Sequence, residues 1–102
     1  KGVTFSGGDP IEQAHSFAYM AKAFKKANLN IWCYTGYTFE KLLELMKKNE
    51  NIRMLLNNID VLVDGRFEIM NRNEELKFKG STNQRIIDVK KSLEYGNIIV
   101  IG

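Results

Sequence analysis

Three short runs in this chain place glycine and a polar or acidic residue directly after an apolar stretch: Ser6-Gly7-Gly8-Asp9-Pro10, Thr35-Gly36 and Asp64-Gly65. Two successive glycines let the backbone approach a ligand closely and leave N–H groups exposed at a helix start, while the Asp9 carboxylate can take a cationic amino group. A structural reading competes with this one. Glycines also make short strand-to-helix turns, and Asp before Pro is good capping chemistry, so spacing alone leaves the two readings level. The remaining reactive side chains read more plainly. His15 falls on the helix face opposite the Phe17 and Phe24 stripe, has no second histidine to form a metal pair, and reads as a surface residue. Cys33, beside Trp32 in an apolar run, has no sequence neighbour that would lower its pKa and reads as a small core residue. Ser81-Thr82-Asn83-Gln84 matches a capping box; its functional reading is that Ser81 to Arg85 forms an exposed polar cluster that touches a ligand or a partner protein.

The elements that must position these residues alternate. Val3 to Phe5 is rich in β-formers and stops at the double glycine. Apolar residues then recur at helical spacing (Ala14, Phe17, Ala21, Phe24), with Pro10 at the first helical position and Asn28 ending the segment. Ile31 to Tyr34 predicts a second strand closed by Thr35-Gly36. Thr38 can cap a helix with the face Phe39, Leu42, Leu45 and Met46, continued by a short piece carrying Ile52, Leu55 and Leu56. Ile59 to Val63 predicts a third strand, and its continuous Val61-Leu62-Val63 run suits a strand covered on both faces. Strands separated by crossover-length helices make βαβ units with a parallel sheet, whose ligands bind at the carboxyl ends of the strands. All three glycine-bearing runs fall at those ends. Arg66 to Lys79 shows no clear period and reads as a long loop or loose hairpin, Gln84 to Glu94 as helical in its later part, and Ile98 to Ile101 as a last strand.

The chain has 102 residues, 44% hydrophobic and 26% charged with a single proline, which predicts one globular domain spanning 1–102 with enough core to need no staples. One cysteine excludes an internal disulfide and any iron-sulfur cluster or cysteine-rich zinc site held by this sequence alone. The net charge of +3 is spread over lysine pairs on helix-like segments (Lys25 with Lys26, Lys47 with Lys48, Lys90 with Lys91), a pattern of solvated helix ends, so no nucleic-acid partner is expected. No apolar run approaches bilayer length, so no membrane partner is expected, and the expected compartment is the cytoplasm, where a lone thiol stays reduced. A central strand beginning near Lys1 and a last strand stopping at Gly102 suggest a piece of a longer protein.

Four ordered motifs carry a resemblance over the whole length: Gly2 to Pro10, Ile31 to Thr38, Ile59 to Phe67, and Phe78 to Asp88 with its Gln84-Arg85-Ile86-Ile87-Asp88 run. They resemble the activating proteins of anaerobic ribonucleoside-triphosphate reductases, a family of radical S-adenosylmethionine enzymes. The resemblance implies an α/β fold, a partial (β/α) barrel with a parallel sheet, in which one four-iron four-sulfur cluster and S-adenosylmethionine sit at the strand ends. It implies that the reduced cluster cleaves the sulfonium, and that the 5'-deoxyadenosyl radical takes a hydrogen atom from a glycine of the reductase. Gly7, Gly8 and Asp9 match the motif that binds the cofactor's methionyl amino group. Thr35 and Asp64 stand where related activating enzymes place further cofactor contacts. The implied partners are the reductase large subunit and an electron donor such as a flavodoxin.

One departure is large. The family's three cluster cysteines are absent, and Cys33 does not replace them, so the cluster belongs to a longer parent and this piece alone is expected to be inactive. A bare sheet edge left by a missing strand is expected to favour self-association. Two alternatives stand beside this reading: an activase of a different glycyl-radical enzyme, and a non-catalytic α/β nucleotide-binding or interaction module.

Overall fold

A computed structural model describes residues 2–65 and 84–101. Four strands form one sheet in the order β1-β2-β3-β4, with β1 Gly2–Phe5, β2 Asn30–Tyr34, β3 Val61–Asp64 and β4 Arg85–Asp88. The first three strands are parallel and β4 is antiparallel to β3, with Asp64 opposite Arg85. The carboxyl ends of β1 to β3 therefore share one edge with the start of β4.

Why each crossover forms is readable residue by residue. Asp9 caps a 3₁₀ turn, Pro10–Gln13, by accepting a hydrogen bond from the Ile11 amide at 3.0 Å, and Pro10 supplies a fixed φ where no N–H is needed. Helix α1, Ala14–Lys26, follows and ends where Asn28 takes a left-handed φ of +62°, a conformation asparagine tolerates better than most residues. Helix α2, Phe39–Leu45, is capped by Thr38, and α3, Glu50–Asn58, by Asn49, each side chain accepting from the first-turn amides. Helix α4, Val89–Tyr95, is capped by Asp88 and stops at Gly96, whose φ is +74°.

The main core lies between one sheet face and α1 to α3. Ile31, Cys33, Leu62 and Ile87 point into it from the strands, and Ala18, Ala21, Phe39, Leu42, Leu55 and Leu56 meet them from the helices. Successive strand residues point to opposite faces, so Val61, Val63 and Ile86 form a second buried cluster on the other side with Trp32 and Tyr34 against it. The continuous apolar run of β3 is thus buried on both faces, as its sequence implied. At the amino ends of the strands Lys25 Nζ reaches both Asp60 oxygens at 2.7 Å, and Asp60 also accepts the Ile31 amide at 2.8 Å.

The structure corrects the sequence reading in four places. The sheet is mixed, not wholly parallel, because β4 turns back along β3. Gln84 to Asp88, read as the approach to a helix, contains that strand: Ile86 and Ile87 are β-branched and face opposite clusters, and the helix begins only at Val89, on an Asp88 cap. Ile98 to Ile101 forms a single antiparallel bridge, Val100 to Ile87, in place of a full strand. Ile59 belongs to the end of α3, its amide donating to the Leu55 carbonyl, and the third strand starts at Val61. The loop read over Arg66 to Lys79 and the capping residues Ser81 to Asn83 lie outside the described residues.

Candidate functional site

The strand-end edge is held by a continuous polar network. The Asp9 carboxylate reaches across from the turn after β1 to the segment after β2: Oδ1 accepts from Thr35 Oγ1 at 2.8 Å and Oδ2 from the Gly36 amide at 2.9 Å. With the Ile11 amide on Oδ1 and the Thr35 hydroxyl shared onto Oδ2 at 3.1 Å, three protein donors make four contacts that fix the orientation of this carboxylate. The segment after β2 is laced in turn to the end of β3. The Thr35 amide donates to the Val63 carbonyl at 3.1 Å, the Gly65 amide to the Tyr37 carbonyl at 3.0 Å, and the Phe39 amide to Asp64 Oδ2 at 2.8 Å.

Asp64 is the most deeply buried polar residue of this network, with its side chain 1% exposed. Besides the Phe39 amide, it receives the Arg85 amide at 3.3 Å and Nε at 3.1 Å on Oδ1, and Arg85 Nη2 on Oδ2. The same guanidinium reaches outward to Glu40, with Nη2 to Oε1 at 2.6 Å. Gln84 Nε2 donates to the Gly65 carbonyl at 3.0 Å. The bonds to Asp64 and Glu40 push the Arg85 pKa up, and Arg85 in return holds the Glu40 carboxyl below its ordinary value. At the rim Tyr37 donates its hydroxyl to Glu12 at 2.6 Å, which raises the Tyr37 pKa, with lesser contributions from burial and the negative charges of Glu12 and Asp9.

The glycine turn stays open beside this network. Ser6, Gly7 and Gly8 are exposed; Gly7 has a φ of +87°, which L side chains rarely adopt, and a Cβ on Gly8 would come within 3.2 Å of Gln13 Nε2. Of the site residues read from the sequence, Asp9 and Thr35 are in direct contact, Gly7 and Gly8 form the turn beside them, and Asp64 joins through the Phe39 amide with both oxygens engaged by protein. Both readings of Asp9 are accommodated, since it caps its turn and also bridges two strand ends. Cys33 is fully buried, and burial first, then the Asp9 charge, pushes its thiol up to about 12. His15 is exposed, with its ring edge-on to Tyr19 at 5.1 Å.

The sequence points to Gly36 as a turn residue, to Phe39 as core and to Arg85 as part of an exposed cluster; their hydrogen bonds to Asp9 and Asp64, and the part of Glu40, come only from the structure. A lone arginine opening an apolar β-run is a visible signal for a strand-end ion pair once an aspartate ends another strand. Gly36 and Phe39 act through backbone amides, which side-chain chemistry does not announce. The sequence predicts an exposed polar cluster over Ser81 to Arg85; of its described residues, Gln84 is buried and Arg85 is half-buried in its ion pair.

A family profile described as a 4Fe-4S single cluster domain matches residues 1–87. Among curated relatives, the anaerobic ribonucleoside-triphosphate reductase-activating protein of Haemophilus influenzae is 38% identical over 91 residues, covering 84% of this chain and 54% of its own length. The proteins of the same name from Pasteurella multocida and Enterobacteria phage T4 are 34% and 32% identical, each over 84% of this chain. The chain spans about half the length of these relatives. No solved structure matches. A four-iron cluster is held by cysteine thiolates, whereas this sequence has one cysteine, buried and protonated, so the residues present do not fit that group.

Proposed function

The chain belongs to the 4Fe-4S single cluster domain family, and from that premise we propose that it is the S-adenosylmethionine-holding part of an activating enzyme for anaerobic ribonucleoside-triphosphate reductase. The observation that carries the reading is the Asp9 carboxylate, fixed by Thr35 and Gly36 beside an open double-glycine turn. A methionyl amino group is a cation with several N–H donors, and it meets there a fixed carboxylate beside an exposed glycine backbone. The edge is acidic as well. Among the described residues of this network, Asp9, Glu12, Glu40 and Asp64 stand against Arg85 alone, in a chain whose net charge is +3. A sulfonium cofactor suits that field better than a phosphate does.

In this reading Gly7 and Gly8 give the cofactor backbone access, Asp9 takes its amino group, Thr35 orients Asp9, and Asp64 holds the Thr35 to Phe39 segment from below. The cofactor, when bound, supplies a sulfonium whose carbon–sulfur bond is open to reductive cleavage. Cluster ligands come from sequence outside these 102 residues, consistent with relatives of about twice the length, and the sheet is part of a radical S-adenosylmethionine barrel. The piece alone is inactive. The partner is the reductase large subunit, and an electron donor such as a flavodoxin serves the pair in the cytoplasm.

The test uses the longer protein, reconstituted anaerobically with iron and sulfide and mixed with reductant, S-adenosylmethionine and the reductase. A glycyl radical signal on the reductase by electron paramagnetic resonance is the expected result. A signal obtained only with another glycyl-radical enzyme would redirect the reading to that enzyme. Phosphate-ligand binding that is indifferent to Asp9→Ala, with no signal on any such enzyme, would return it to a nucleotide-binding module.

A further inference from the structure

Arg85 connects to Asp9 through three hydrogen-bonded steps and one short stretch of backbone. Its guanidinium and amide hold the buried Asp64 carboxylate; Asp64 Oδ2 takes the Phe39 amide at 2.8 Å; Phe39 closes the segment whose Thr35 hydroxyl and Gly36 amide orient Asp9 at 2.8 and 2.9 Å. The Asp64 contact is not what starts α2, because Thr38 already caps that helix by accepting from the Lys41 amide at 3.2 Å. What the contact adds is position. Glu40, in the first turn of α2, takes the outer side of the same guanidinium at 2.6 Å, so one planar fork ties a buried carboxylate of β3 to the start of α2. Gln84, the preceding residue, secures the other side of the turn by donating to the Gly65 carbonyl at 3.0 Å.

We propose that Arg85 is a positioning residue for the strand-end site: through Asp64 it sets the height of the Thr35 to Phe39 segment and thereby the orientation of the Asp9 carboxylate toward a cationic ligand group. The ligand half of this statement rests on the S-adenosylmethionine reading above; the positional half does not. A neutral side chain at position 85 leaves Asp64 buried with only backbone donors, and the carboxylate then turns toward water and releases the Phe39 amide. Lysine keeps the charge but has no fork, so it can satisfy Asp64 or Glu40 but not both in the present geometry.

Two readouts test this on Arg85→Lys and Arg85→Met in the full chain. In amide nuclear magnetic resonance spectra the Gly36 and Phe39 signals should move in both variants, while the Ile31 amide, bound to Asp60 at the opposite sheet edge, should stay. In titrations with S-adenosylmethionine both variants should weaken binding, Arg85→Lys by about tenfold, the scale of one charge-assisted hydrogen bond, and Arg85→Met by more. A folded Arg85→Lys protein with wild-type Gly36 and Phe39 signals overturns the proposal, and it decides the matter even where Arg85→Met does not fold. Moved signals with unchanged affinity overturn it too. Moved signals together with a wild-type protein that does not bind S-adenosylmethionine support the positional coupling and instead sink the cofactor reading.

Discussion

Cys33 shows how far a residue's surroundings decide its chemistry. It is the only thiol in the sequence, yet it points into the main core with its ionisation pushed from 9.0 to about 12 by burial and by the nearby Asp9 charge. Between those values the unfolded chain loses the thiol proton and the folded chain keeps it. The unfolded state therefore binds fewer protons, and stability falls as pH rises from 9 toward 12, by about 1.4 kcal/mol per pH unit for this group. Urea melts across that window should show the slope, and Cys33→Ala should remove its share of it. Alkylation by iodoacetamide at neutral pH should be slow in the native chain and fast in urea. The Arg85–Asp64 pair gives a second prediction at this scale. Arg85→Met strands a buried carboxylate and should cost about 3 kcal/mol or more, read as a lower urea midpoint. Asp9 and Cys33 were legible in the sequence because capping and apolar context are local. Asp64 was legible as a strand-end residue, but its bond to Arg85 was not, because 21 positions of chain separate the two partners.

Elements were read best where signals are local and worst where a partner strand decides. Pro10, Thr38 and Asn28 marked their helix boundaries in the sequence, and each acts as expected. Gln84 to Asp88 carried no comparable mark. Five residues with two apolar ones suit a helix start or a strand, and pairing of Arg85 to Asp88 with β3 chooses the strand. Helix boundaries offer clean tests. Asn28 has a φ of +62°, so Asn28→Val should destabilise by about 1–2 kcal/mol while Asn28→Gly stays near neutral, as measured by thermal or urea unfolding. Thr38→Ala removes the α2 cap and should cost about 1 kcal/mol. It should leave the Phe39 amide bonded to Asp64, which distinguishes capping from positioning.

At the scale of the molecule, one cysteine and a match to a 4Fe-4S family stand together, and the reading that reconciles them places the cluster ligands outside these residues. Anaerobic reconstitution of the 102-residue chain should then yield no cluster absorbance, whereas the longer protein should acquire it. Among the described residues β1 pairs on one side only, with β2, so the isolated chain should associate as its concentration rises, and Thr4→Lys on that exposed edge should reduce association in sedimentation experiments. In the proposed function the Asp9 carboxylate receives the amino group of S-adenosylmethionine. The most direct test of that role is calorimetric titration of the longer protein with S-adenosylmethionine, comparing wild type with Asp9→Asn, which keeps an acceptor oxygen but loses the charge. Wild type should bind saturably and the variant should lose about 10- to 100-fold in affinity, the scale of a hydrogen bond to a charged group. Equal affinities in the two proteins would contradict that role.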